Sequence, residues 1–303
     1  MLSPGRLYGL QQISNEAGVF SILALDHGRS FQSAVNPSAP EAVSQDEVRR
    51  LKSQLLRRLA PHAGGVLLDP VTGLAAALQN GRLPDKTGIV LSIEDGDYEA
   101  PDQSRRCRLL ENWDVAGIKA AGAAAVKLFF YYHPDHPETV AYQESILVAV
   151  SSECRAYDLP LMVEPLSYDT PPEDRPRVVI ESARRLGRFD IDILKLEFPV
   201  DTYFCPDEAV WQARCEALND VCRVPWVLLS AGTNFETFAR QVEIACSAGA
   251  SGFVAGRAIW ADAAARPDDE FEAFAETVTI PRLKRLTETA IRKGRSWQTY
   301  PGF

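Results

Sequence analysis

Among the 303 residues, the ones most suggestive of chemistry are charged side chains set inside apolar runs. Lys195 lies in DILKLEFP (192–199), flanked by Leu194 and Leu196. In a strand, successive side chains point to opposite faces, so Lys195 and Glu197 share one. If the flanking leucines pack outward, Lys195 faces an interior where desolvation disfavours the ammonium form. The neutral amine attacks a carbonyl to give an imine. The competing reading is a lysine that only pairs with Glu197. Lys127 in AAVKLFF (124–130) and Glu164 in LPLMVEP (159–165) have the same setting. A second ammonium near Lys195 would favour its neutral form, and a carboxylate between the two could shuttle protons. A buried Lys–Glu–Lys network without chemistry is again the plainer possibility.

Further polar residues end other apolar runs. Asp26 closes SILALD (21–26) and could orient a substrate hydroxyl or a lysine; otherwise it is a loop-closing or helix-capping carboxylate. His27 follows it and could touch substrate. Ser230 and Gly232 end PWVLLSAG (225–232), and Gly256 and Arg257 end ASGFVAGR (250–257). Glycine turns ahead of a helix expose backbone N–H groups to an anion, and Arg257 could add a bidentate contact. The four histidines, His27, His62, His133 and His136, do not form a ligand cluster for zinc-dependent chemistry. His133-x-x-His136 reads as a solvated turn in a proline-rich loop.

These residues need a scaffold that brings strand ends together. Eight short apolar runs recur, the remaining two being GVLLD (65–69) and GIVLSIE (88–94). They are continuously apolar rather than alternating, as in parallel strands covered on both faces. Amphipathic helical patterns separate them at Gln45–Leu59, 139–157, Arg175–Leu186, 208–220, 235–248 and 270–291. The alternation predicts an α/β fold, a single (β/α)8 TIM barrel over residues 1–303, with the site at the carboxyl ends of the strands and phosphate held after strands seven and eight. A doubly wound open sheet is the alternative, but no G-x-G-x-x-G follows the first strand. Two segments read as inserted loops, 36–42 and the Asp- and Arg-rich 95–106. The tail 296–303 reads as a docked or frayed terminus.

Composition narrows the class of partner. With 46% hydrophobic and 24% charged residues the chain is an ordinary globular one. A net charge of −9 disfavours nucleic acid and anionic membranes, so an anionic substrate must be drawn by a local cluster of Lys and Arg. The six cysteines contain no C-x-x-C, which reads as reduced thiols in a cytoplasmic setting. The first residues have no apolar run suited to a signal peptide. A homo-oligomer is the usual state of such enzymes.

The segment PWVLLSAGTNFETFARQVEIACSAGASGFVAGRAIWAD closely resembles the class I tagatose 1,6-bisphosphate aldolase family, which includes the sulfofructosephosphate aldolases. GVLLDPVTGL, AAVKLFFYYHPD, LPLMVEPLSYD and RFDIDILKLEFPVD match it in the same order, from about residue 20 to about 262. The resemblance implies a Schiff base on Lys195, proton transfer by Glu164 and Lys127 as a second active-site lysine. It places the C1 phosphate at Ser230, Gly232, Gly256 and Arg257, and Asp26 beside the substrate. It implies cleavage of a ketose 1-phosphate (tagatose or fructose 1,6-bisphosphate, or 6-deoxy-6-sulfofructose 1-phosphate) to dihydroxyacetone phosphate and an aldehyde, without metal or organic cofactor. Where the family usually has Asp-Gln-Arg, this chain has Asp26-His27-Gly28-Arg29, closer to archaeal-type class I fructose bisphosphate aldolases. Arg29 is then a candidate contact for the C6 phosphate or sulfonate. The alternatives are a transaldolase-like or 2-deoxy-sugar aldolase using the same lysine, and a non-catalytic sugar-phosphate-binding barrel.

Overall fold

A computed structural model describes residues 2–79, 83, 87–95 and 105–303. Eight strands, β1 (Phe20–Leu25), β2 (Gly65–Leu68), β3 (Ile89–Ser92), β4 (Ala125–Tyr131), β5 (Leu161–Leu166), β6 (Ile193–Leu196), β7 (Trp226–Leu229) and β8 (Gly252–Ala255), close into a parallel barrel in chain order. This is the (β/α)8 TIM barrel that the alternation predicts. Each strand begins within two residues of the start of its apolar run. The runs look uniformly apolar because both faces are covered. Ile22, Ala24, Leu67, Val90, Ala125, Met162, Ile193, Val227 and Val254 fill the interior. Leu23, Leu68, Val126, Val163, Leu194, Leu196 and Leu228 pack outward with the helices.

The helices follow the apolar periodicity with ends set by local chemistry. Gln45–Leu59 begins at Ser44, whose Oγ accepts from the Glu47 N–H, and buries Val48, Leu51, Leu55 and Leu59. Phe235–Ser247 is capped by Asn234 in the same way. The predicted helix 270–291 is interrupted: Asp268–Phe274 and Ile280–Lys293 flank a π-turn at Ala275–Thr279. Pro281 explains the break, because it lacks an N–H and its ring clashes with a carbonyl one turn back, which a wider turn relieves.

A helix that the periodicity does not reveal, Pro4–Gln12, closes the amino-terminal mouth of the barrel. Its Leu10 and the following Ile13 join the interior cluster together with Trp297. The tail is docked rather than frayed: Trp297 is buried and donates from Nε1 to Ser14 Oγ at 3.0 Å. One mouth is thereby plugged, and the other is left for a site. The loop 36–42 contains a 3-10 turn, Pro40–Ala42, while most of 95–106 lies outside the described residues. No described helix is long and apolar enough to cross a membrane.

Candidate active site

Strand parity delivers the charged residues to the interior. Ile193 and Leu194 go to opposite faces of β6, so Lys195 points inward, and Lys127 and Glu164 follow Ala125 and Met162 in the same sense. Lys195 Nζ sits 2.9 Å from Glu164 Oε1. Lys127 Nζ sits 2.9 Å from Glu164 Oε2, 3.0 Å from Asp26 Oδ2 and 2.6 Å from Glu94 Oε1. The two lysines therefore meet through one carboxylate, each on its own oxygen. Glu197 does not pair with Lys195. It accepts from Arg175 Nη2 at 2.8 Å and from the Ser167 N–H at 2.6 Å.

Charge and burial divide the labour between the lysines. Lys127 is fully buried and sealed beneath the site, whereas Lys195 and Glu164 line a cavity of about 160 Å³ with Asp26, His27, Ser230 and Arg257. Burial alone would raise the Asp26 carboxyl, but the Lys127 and Lys195 charges outweigh it and hold Asp26 well below the usual carboxylate range. At Glu94 burial wins over Lys127 and pushes the carboxyl up. Burial also pushes the His27 imidazole down to about 3, with Arg257 and Lys195 adding to it against Asp26. His27 is thus neutral at physiological pH. Its Nδ1 lies 3.6 Å from Asp26 Oδ1, too far for a hydrogen bond, and has no hydrogen-bond partner among the described residues. A neutral imidazole lining the cavity can serve a substrate oxygen.

The end of the cavity where an anion is expected is built by two turns. After β7, Ala231 and Gly232 both adopt left-handed backbone, φ 47° and 74°. After β8, Gly256 starts the helix Arg257–Ala264 with no side-chain cap, leaving its first N–H groups to an incoming anion. The Arg257 guanidinium is laid over Gly232, where an added Cβ would come within 3.2 Å of its Cζ, and Arg257 Nε has no hydrogen-bond partner among the described residues. Gly232→Ala is therefore expected to displace Arg257 and raise KM for a phosphorylated substrate about tenfold, while kcat changes far less. Steady-state kinetics check this; an unchanged KM would separate Gly232 from the anion site.

The expected residues are not all in one place. Asp26, His27, Glu164, Lys195, Ser230, Gly256 and Arg257 share the cavity. Arg29 instead lines a neighbouring cavity of about 280 Å³ on the other side of Asp26. His133 to His136 form the expected turn, closed by the His136 N–H on the His133 carbonyl at 3.0 Å, but its rings are not simply solvated: His133 is buried, the rings stack at 4.3 Å, and His136 Nδ1 is hydrogen-bonded to Tyr168 Oη at 2.8 Å. Aromatic stacking at the ends of β4 and β5 takes the His133 ring from water and leaves His136 half-buried. Glu94 is the residue the sequence reading overlooks. It ends GIVLSIE two positions after Ser92, so the parity that selects Lys195 also marks it. Lys52 is also unforeseen, a buried lysine on the leucine-rich helix, paired with Asp69 and Thr72 Oγ1 at 2.5 and 2.8 Å.

The model of the DeoC/LacD family aldolases matches residues 20–262. The chain belongs to this family. The aldolase is 30% identical over 286 residues to a tagatose 1,6-diphosphate aldolase of Listeria monocytogenes serotype 4a (strain HCC23), covering 86% of this chain and 83% of the relative. It is 29% identical over 316 residues to one of Streptococcus agalactiae serotype V, covering 95% and 96%. Among solved structures, a Schiff base forming fructose-1,6-bisphosphate aldolase superimposes with a TM-score of 0.62 at 20% identity, over 93% of this aldolase and 98% of that chain.

Proposed function

We propose that the protein is a class I aldolase that cleaves a ketose 1-phosphate to dihydroxyacetone phosphate and an aldehyde through an imine on Lys195. The observation that carries this reading is the placement of Lys195 Nζ 2.9 Å from Glu164 Oε1, in a cavity whose far wall is Ser230, Gly256 and Arg257. An amine with its own proton acceptor shares one small cavity with the residues expected to hold an anion, as a C2 carbonyl next to a C1 phosphate requires. The names of the relatives support the same reading.

Lys195, once it has passed a proton to Glu164, attacks C2. Glu164 returns the proton to the departing C2 oxygen as water leaves the carbinolamine. The iminium draws the C3–C4 bonding electrons as the C4 hydroxyl passes its proton to Glu164, a carboxylate again once water has left, and the aldehyde departs. The enamine takes up a proton at C3, and hydrolysis frees dihydroxyacetone phosphate. Asp26, anionic across the physiological range, orients a substrate hydroxyl, and neutral His27 supplies a second polar contact. Lys127 holds Asp26 and Glu164 in place from below. No metal or organic cofactor takes part. Suitable substrates are tagatose or fructose 1,6-bisphosphate and 6-deoxy-6-sulfofructose 1-phosphate. The six free cysteines suit a cytoplasmic enzyme.

The test is borohydride trapping with dihydroxyacetone phosphate in the presence of EDTA, read by intact mass and peptide mapping. One reduced adduct on Lys195 is expected, and an adduct on another residue or none would overturn the proposal. Formation of free dihydroxyacetone phosphate separates it from a transaldolase-like reaction. Glu164→Gln keeps the shape but cannot carry the proton, so kcat is expected to fall about 10²- to 10⁴-fold. Rapid-quench measurement of imine formation should show the same step slowed; a near-normal rate would remove Glu164 from proton transfer.

A further inference from the structure

The far end of a ketose 1-phosphate needs a partner that the cavity around Lys195 does not supply. Arg29 is the cation expected there, but its own cavity is walled by Asp26, Asp69, Glu94 and Asp95. These carboxylates already hold Lys127, Lys52 and Arg108, so a second oxyanion at Arg29 would meet a ring of acceptors whose own cations are committed.

A different cation stands across the barrel mouth. In the closed order β1 to β8, β4 lies four strands from β8, so the segments at its end face Arg257 from the opposite side. There the Arg105 guanidinium lies over the Tyr131 ring at 4.7 Å and the Tyr168 ring at 5.8 Å. The two rings meet edge to face at 6.0 Å, and Tyr168 Oη is hydrogen-bonded to His136. Among the described residues Arg105 makes no ion pair. A guanidinium held against ring faces keeps its in-plane N–H groups for oxygens.

The placement is enforced from a distant helix. Gln143, fully buried in Pro137–Ala156, uses its whole amide to clamp this segment. Its Nε2 donates to the carbonyls of Arg105 at 2.7 Å and Tyr131 at 3.1 Å, and its Oε1 accepts from the Cys107 N–H at 3.1 Å. Tyr142 Oη donates to the Cys107 carbonyl at 3.2 Å. Arg105 itself has φ 56°, a backbone conformation that a non-glycine residue keeps only when its surroundings hold it there. A buried glutamine and a left-handed arginine together fix one cation over two aromatic rings at the mouth of the site.

We propose that Arg105, clamped over Tyr131 and Tyr168, binds the phosphate or sulfonate at the C6 end of the ketose 1-phosphate and so sets the preference for doubly anionic substrates. This rests on the aldolase reading above. The experiment measures kcat/KM for a ketose 1,6-bisphosphate, and for 6-deoxy-6-sulfofructose 1-phosphate, each divided by that for a matching ketose 1-phosphate uncharged at C6. In Arg105→Gln this ratio is expected to fall at least tenfold, with dihydroxyacetone phosphate still trapped on Lys195 as in the wild type. An unchanged ratio, or a selective fall in Arg29→Gln instead, would overturn the assignment. Equal losses on both substrates, or loss of the trapped imine, would make Arg105 a structural residue and overturn it as well. Failure of the wild-type protein itself to trap dihydroxyacetone phosphate would instead strike the aldolase reading, and the assignment would fall with it.

Discussion

Lys195→Ala is expected to abolish cleavage, with kcat down about 10⁴-fold or more, the scale on which loss of a covalent nucleophile is felt. The fold should survive it. Lys195 borders the cavity, so water can fill the space and solvate Glu164 Oε1, while Glu164 Oε2 keeps Lys127 at 2.9 Å. A melting temperature within a few degrees of the wild type is therefore expected. Lys195→Arg sharpens the result. It restores a cation beside Glu164 but offers no amine that becomes neutral at working pH, so stability should return and activity should not. The measurement pairs turnover, followed by release of dihydroxyacetone phosphate, with thermal unfolding. Residual kcat within about 100-fold of the wild type would rule out the imine on this residue.

Lys127→Met should behave in the opposite way, with a large loss of stability alongside the loss of activity. Lys127 is fully buried and is the cation within 3.0 Å of Asp26, Glu94 and Glu164. Removing one partner of a buried ion pair costs about 3–5 kcal/mol, because the remaining charge is left uncompensated. For a chain of this size that corresponds to a fall in melting temperature of about 10 °C. The pH dependence has a definite sign. Asp26 is held below its ordinary 3.8, so in the wild type it contributes stability above that pH, which is lost as pH falls through its folded value. Without Lys127 that contribution shrinks, and Glu94, already raised by burial, rises further. The variant then gains relative to the wild type as carboxylates protonate. Its deficit should be larger at pH 8 than at pH 5, measured by thermal melts across that range. A deficit that does not depend on pH would mean that packing, not charge, is what Lys127 supplies.

The parts of the site that were legible share one property: each is a charged residue inside a short apolar run. Lys195, Lys127 and Glu164 are visible because a charge between leucines, valines or phenylalanines needs an account, and a strand's two-residue period assigns it a face. Glu94 obeys the same rule yet is easily passed over, since it ends its run next to Asp95 and reads as the start of an acidic loop. Lys52 is hidden differently. On a helix with leucines at three- and four-residue spacing, a lysine beside them reads as the edge of the solvated face, and only Asp69 and Thr72, 17 and 20 residues on, bring it inside. Arg105 falls in a stretch that reads as an insertion. Its position depends on Gln143, 38 residues away on a helix whose pattern reports burial but not the direction of one amide.

What the sequence determined by itself is the barrel, the inward face of each strand and hence the set of charges that must share its interior. Local periodicity carries that information, because neighbouring residues alone decide whether a side chain points in or out. Which charge meets which was decided only by closure of the barrel. Asp26 and Lys127, 101 residues apart, touch because β1 and β4 lean into one lumen, and Glu164 binds both lysines because β5 stands between β4 and β6. Pairing of this kind depends on the stagger and tilt of eight strands at once, which no single segment encodes.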